Sequence, residues 1–473
     1  TGVAEREPAW SPDGKTLAYF SDASGEYELH LVDQFGREKP RAVALGDAPS
    51  FYYGLLWSPD SRRLAYYDKR LNLWAMDVAT GVSTKVDTAT YQESFRYFDP
   101  AWSPDSKYLA YAKQLSNRLC QIWAFHVESG EKNAITDGLS DARYPVFDRG
   151  GKYLYLVAST NIGPTTGGLD LSSSARPVSS HAYVVVLKKT DASPLAPESD
   201  EEKPASEAKK PEDSIGGAQA ESGSQQTGEG AAAEEKKPAK KEPVTVVIDF
   251  EGITQRILSL PIPERNFRGL AAGPEGVLFL RQMPILPASD SNGADYILHR
   301  FDLKKRKVET FLTDVRMNPE VSADGKKMLV RHRNNWRIVG TAAAPKDSDG
   351  NLSLARAEVW VDPKAEWRQM YNEVWRIERD FFYAPNFHGL NLDAAKKKYM
   401  RYVETIATRA DLNYLFNEML GELSVGHLYV RGGDMPEVTR VPVGLLGADL
   451  AVENGRYRFR RVFNGENWNP ELR

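Results

Sequence analysis

The stretch GELSVGHLYVRGGD, residues 421–434, sets one histidine, His427, between a helical run and an apolar HLYV that reads as the start of a strand, just ahead of a Gly-Gly turn. An imidazole with an ordinary pKa near 6.5 can take a proton from a hydroxyl and return it to a leaving amine near neutral pH, which is general-base chemistry. A helix-to-strand junction would give that group a fixed backbone and an exposed edge. The same residue could instead be packed at the junction and bonded to a carbonyl, and its place in the chain leaves both readings open. Other histidines are poorer candidates: His388 in NFHGLN reads as a turn residue, and His30, His126, His299 and His332 fall on alternating strand patterns. Gly-x-Ser-x-Gly elbows, His-Glu-x-x-His helices, phosphate-binding glycine loops and dinucleotide fingerprints are absent, so the corresponding hydrolases, zinc enzymes and nucleotide enzymes are not indicated. Cys120 is the single cysteine, which rules out an intrachain disulfide and a thiol-rich metal centre. No cofactor and no metal are expected.

The elements around His427 are helical. Trp367, Met370, Tyr371, Val374, Ile377 and Phe381 recur at three- and four-residue spacing, the stripe of an amphipathic helix. A turn over residues 383–391, a second helix over 392–406 and a third over 408–423 follow, the last opening on Thr408 as its cap with Asp411 in the first turn. Beyond them, residues 443–465 read as two strands around Asn454-Gly455.

A different period governs the first three quarters. PAWSPDGKTLAYFSD returns as LLWSPDSRRLAYYDK and PAWSPDSKYLAYAKQ, then in weaker form as PVFDRGGKYLYLVAS; Trp10, Trp57, Trp102 and Phe147 are separated by 47, 45 and 45 residues. That step suits the four-stranded blade of a propeller. Within each unit an aromatic ends one strand, Ser-Pro-Asp-Gly/Ser makes the turn and an alternating Leu-Ala-Tyr strand follows; proline presets φ and aspartate bonds its own backbone. Two weaker units, at residues 270–282 and 318–332, bring the expectation to about six blades. The first residues resemble a blade boundary, so the chain reads as cut from a longer protein or as closing its ring with the strand AEVWVD, residues 357–362.

Residues 190–243 hold no aromatic residue and are rich in Glu, Lys, Pro, Ala, Ser and Gly. Such a segment cannot bury enough apolar area to offset its ordering entropy. It is read as a disordered insertion bracketed by strands at residues 182–188 and 244–250. At 473 residues with 41% hydrophobic content the chain is too long for one core. A net charge of −4 leaves no basic field for nucleic acid. No apolar run approaches the ~18 residues that span a bilayer.

Blades with SPDG turns, then EWRQMYNEVWRIERDFFYAPNFHGLN, TRADLNYLFNEMLGELSVGHLYV and NGRYRFRRVFNGENWNPEL, together resemble the tricorn protease family over nearly the whole chain outside the charged insertion. The blade turns are shared with TolB-like propellers; the helical block ending in Gly-Glu-Leu-x-x-x-His is the more specific part. The resemblance implies a multidomain fold: an all-β propeller over 1–362 carrying the insertion at 190–243, a mostly α-helical peptidase core subdomain over 363–436, and an incomplete PDZ-like β domain opening at 437–473. It implies a serine peptidase acting on peptides, with His427 as general base and the nucleophilic serine in a second core subdomain outside this chain, so that the fragment alone is inactive. Gly426 stands where the archaeal enzyme has a serine before the base, and Ser424 does not match that position; the group orienting His427 is therefore open. Homo-oligomerisation is implied by the resemblance, and a cytoplasmic location is expected, with the periplasm as alternative if a signal peptide preceded Thr1. The competing expectation is a non-catalytic TolB-like scaffold that binds proteins or peptides.

Overall fold

The repeated turns set the architecture. In four of them a serine hydroxyl donates to the aspartate two residues on: Ser11 to Asp13 at 2.6 Å, Ser58 to Asp60 at 2.5 Å, Ser103 to Asp105 at 2.7 Å and Ser322 to Asp324 at 2.6 Å. The next residue is left-handed, whether Gly14 (φ 72°), Ser61 (φ 61°), Ser106 (φ 62°), Gly151 (φ 73°) or Gly325 (φ 74°). A serine in that conformation is strained, yet here it does a second job. Ser61 Oγ accepts from the Asp13 amide at 3.2 Å and Ser106 Oγ from the Asp60 amide at 3.1 Å, tying each turn to the one before it. The turn-closing tryptophans add a second tie, the Trp57 indole donating to the Ala9 carbonyl at 2.9 Å and that of Trp102 to Leu56 at 3.1 Å.

The computed structural model describes residues 2–46, 48–91, 98–161, 179–197, 244–284, 295–435, 439, 441–444 and 446–465. Most of the insertion expected at 190–243 lies outside them. The chain divides into two compact units, Val3–Val361 and Asp362–Arg473. In the first, antiparallel strands among the described residues form four four-stranded blades over residues 5–43, 52–88, 101–134 and 141–259, then a seven-stranded sheet over 267–340. That last sheet holds the fifth and sixth blades, joined by the pairing of Val315 with His332. Alternate residues of neighbouring blades interlock into the cores, as where Phe20 and Leu29 meet Tyr52, Leu64 and Tyr66.

The fourth blade's turn departs from the repeat, and the departure has a use. Arg149 stands where the first three turns and the fifth have proline; its guanidinium donates to the carbonyls of Gly273 (2.7 Å), Ala323 (2.5 Å) and Ser322 (2.9 Å), clamping the fourth blade to the fifth and sixth.

In this unit two expected strands are not formed. Residues 244–250 run without strand pairing because the Val246 amide goes to the Asp105 carboxylate at 2.9 Å while Val246 and Ile248 enter the core; Ile257–Ser259 takes the outer edge of the blade instead. Residues 357–361 are also unpaired. The edge they would need is taken earlier, by a bridge between Asn351 and Arg337 and by the Leu352 amide on the Trp336 carbonyl at 2.9 Å.

The second unit contains, among the described residues, three α-helices: α1 (Pro363–Phe381), α2 (Leu392–Val403) and α3 (Arg409–Gly421). Each start is chemically marked. The Asp362 carboxylate accepts from the amides of Lys364 and Ala365 with Pro363 at the first helical position, Asn391 caps α2, and Thr408 with Asp411 forms a reciprocal capping box on α3. Tyr371 and Trp375 of α1, Tyr399 and Val403 of α2, and Leu412, Phe416 and Met419 of α3 make their shared core. A hairpin of Ala448–Glu453 and Arg456–Val462 follows. No helix among the described residues is long and apolar enough to cross a membrane.

Candidate functional site

Helix α3 delivers the candidate histidine. After Gly421 the chain makes one further turn, with Leu423 fully buried as its anchor. His388 then holds that anchor: its Nδ1 lies 2.8 Å from the Leu423 carbonyl, and its Nε2 lies 2.5 Å from the Tyr383 hydroxyl. The tautomer that donates from Nδ1 and accepts at Nε2 satisfies both contacts. His388 is thus more than a turn residue, since it ties the loop after α1 to the end of α3.

From there the backbone turns twice through the left-handed region, at Ser424 (φ 52°) and His427 (φ 67°). Neither residue relieves that conformation as glycine would, and strained backbone of this kind collects at functional sites. The strand expected to begin at His427 is not formed, because the left-handed turn at His427 interrupts the extended run and residues 428–430 have no partner strand among the described residues.

The His427 side chain is exposed, not packed into the core. Its ring stands almost perpendicular to that of Tyr429, 89° at 6.1 Å between centroids, with the Tyr429 hydroxyl 3.5 Å from Nδ1. The Ser424 hydroxyl makes no hydrogen bond to the imidazole. His427 lines a cleft of about 500 Å³ within the helical unit, floored by Met370, Val374, Ile377, Phe416 and Leu420.

One carboxyl in this cleft was not singled out by the sequence pattern. Glu378 is only 7% exposed, and burial alone pushes its pKa above the usual carboxylate range. Its carboxyl group makes no hydrogen bond or ion pair with a described residue, whereas its neighbour Glu373 is paired with buried Arg376 at 2.8 Å. A signal was present: Tyr371, Trp375 and Glu378 fall on one face of α1, so a carboxylate interrupts the buried stripe.

The other candidates are elsewhere. His30, His126, His299 and His332 lie on blade strands. His299 is buried with its pKa pushed down to about 4, by burial first and the Arg265 guanidinium second, and it contacts Gln282 at 2.7 Å. It is a neutral core histidine. Among the described residues no group of three or more His, Cys, Asp or Glu side chains could hold a metal ion.

With this geometry in place, the comparisons with known proteins can be read. Residues 1–342 match the family described as the tricorn protease second beta propeller domain, and residues 363–421 the tricorn protease C1 domain. His427 lies just past the second match. Tricorn protease homolog 1 of Streptomyces coelicolor is 36% identical over 243 residues, 48% of this chain and 22% of its own length. The tricorn protease homolog of Saccharolobus solfataricus is 26% identical over 483 residues, 100% of this chain and 40% of its own length. The chain thus spans half or less of these curated relatives. In fold it is similar to the crystal structure of the tricorn protease, with a TM-score of 0.72 and 17% identity over 98% of this chain and 42% of that one.

Proposed function

Because the chain belongs to the tricorn protease family, we propose that it forms part of a serine peptidase that hydrolyses peptides, in which His427 is the general base. The single observation that carries this reading is the imidazole itself: exposed, on a strained turn at the rim of a cleft, just beyond the well-packed C-terminal end of α3. An imidazole buried in hydrocarbon could not exchange protons with a substrate; this one can be reached.

In the proposed reaction, His427 takes the proton of a serine hydroxyl as that oxygen attacks the scissile carbonyl, then passes it to the departing amine. The serine belongs to the part of the relatives that this chain does not span. Residues 363–436 then act as the histidine-bearing half of the catalytic core, and residues 437–473 open a PDZ-like module. Tyr429, with its hydroxyl beside Nδ1, is the nearest group able to orient the ring.

The test is kinetic. In the complete peptidase, His427→Ala should lower kcat by about 1,000-fold or more while leaving KM nearly unchanged, as expected when proton transfer and not binding is removed. The 473 residues alone should show no turnover. Undiminished hydrolysis by the His427→Ala enzyme, or His427-dependent hydrolysis by the 473-residue chain, would overturn the assignment of base or of nucleophile respectively.

A further inference from the structure

The stretch between α1 and α2 is built at a conformational cost. Phe387 (φ 49°), His388 (φ 53°) and Gly389 (φ 87°) are left-handed in succession, and only the glycine takes that conformation freely. Side chains persist there when their surroundings over-determine them. Phe387 packs on the helical core and stacks on Phe382, 5.8 Å between centroids at 29°. The His388 imidazole stands at 74° to the Phe382 ring and 71° to that of Tyr383, with centroids 5.2 and 5.4 Å away. With Nδ1 on the Leu423 carbonyl and Nε2 on the Tyr383 hydroxyl as well, the ring is held in one orientation.

Its target is a single peptide plane. The Leu423 carbonyl takes the His388 Nδ1–H at 2.8 Å, and the other edge of the same plane, the Ser424 amide, donates to the Gly421 carbonyl at 3.1 Å. The plane is therefore held from both sides, by the turn that ends α3 and by a side chain 35 residues earlier in the chain. From this plane the turn that bears the base departs, through left-handed Ser424 and then left-handed His427. Between residues 425 and 427 no backbone group bonds to a described residue, and Val425 gives the turn an apolar foothold on the helical core. Among the described residues, the His388 bond is the last that another element makes to the backbone before the imidazole.

Resting on the peptidase reading above, we propose that His388 is a positioning residue for the reaction: its Nδ1–H, acting through the Leu423 carbonyl, sets where the His427 imidazole stands. General-base transfer needs the imidazole within hydrogen-bond reach of the attacking hydroxyl, and misplacement by about 1 Å can cost about 100-fold in rate. His388 touches no reacting atom. Its effect falls on kcat, because the bond it makes orients the base and grips no substrate. Tyr383 acts one step further out, its hydroxyl donating to Nε2 so that the ring proton resides on Nδ1.

The experiment uses the complete peptidase carrying His388→Phe, His388→Asn or Tyr383→Phe, with kcat expressed per active site titrated by a fluorophosphonate. Phenylalanine keeps the aromatic packing without the donor, whereas asparagine tolerates the left-handed backbone and can place its amide N–H where Nδ1 was. The proposal predicts that His388→Phe lowers kcat about ten-fold, one hydrogen bond lost, with KM within about two-fold of the parent. His388→Asn restores most of the rate, and Tyr383→Phe falls between. Amide hydrogen exchange at residues 424–428 quickens in His388→Phe and not in His388→Asn. Parental kcat in His388→Phe, equal losses with phenylalanine and asparagine, or unchanged exchange would overturn it. His427→Ala separates this proposal from the reading it rests on. Full activity of that variant removes the general base itself, whereas an inactive His427→Ala beside a fully active His388→Phe overturns the positioning role alone.

Discussion

His427 and Glu378 differ in how their surroundings treat them. His427 stands in solvent on a strained turn; the carboxyl of Glu378 is largely buried, and that burial raises its pKa. The second condition has a pH signature. Burial raises the folded-state pKa of Glu378 above its unfolded value, so the folded state holds the proton more tightly. The contribution of this group to stability is therefore fully present below the unfolded pKa and is lost as pH rises through the folded one. Glu378→Gln removes that loss. Its melting temperature should exceed that of the parent at pH 7, and the difference should vanish near pH 3.5, where both side chains are neutral; thermal unfolding followed at the two pH values decides it. A difference independent of pH would mean that ionisation of Glu378 is not its cause, and a lower melting temperature for Glu378→Gln at pH 7 would mean that the carboxylate has a partner.

At the scale of elements, the propeller rests on a few repeated devices, and two substitutions test them. Gly54 sits at φ 69° with its amide bonded to the Glu7 carboxylate, and a Cβ there would overlap the Tyr67 ring. Gly54→Ala should destabilise the propeller unit by about 3 kcal/mol, from the left-handed backbone and the overlap together. Arg149→Met, which strands three carbonyls, should cost about 2 kcal/mol; urea unfolding of each variant measures both. The turns and helix caps behind these devices were legible because their chemistry is local: serine and aspartate two residues apart, or threonine three before aspartate, satisfy one another wherever they occur. Pairing is not local. Residues 244–250 have a strand's composition, but the Val246 amide finds the Asp105 side chain. Residues 428–431 alternate like a strand and have no partner. The role of Arg149 was hidden for the same reason, since its three acceptors lie more than a hundred residues away.

Across the whole molecule, the proposed chemistry lies in the helical unit, and the repeat-built β unit is given no part in it. In the propeller unit two buried titratable groups serve the structure: Arg143 binds Asp99 at 2.9 Å, and His299 is kept neutral. The helical unit leaves an imidazole and a carboxyl on one cleft. The motif around His427 marked the catalytic candidate in sequence, whereas the cleft beside it became visible only once α1 and the 428–431 stretch were seen to share a cavity. The most direct measurement is to treat the complete peptidase with a peptidyl chloromethyl ketone, which alkylates the histidine next to a substrate-bound scissile position, and to map the modified residue by mass spectrometry. The account predicts alkylation of His427 at a rate that follows loss of activity and is slowed by a competing peptide. Inactivation with His427 unmodified and another histidine carrying the label would contradict it.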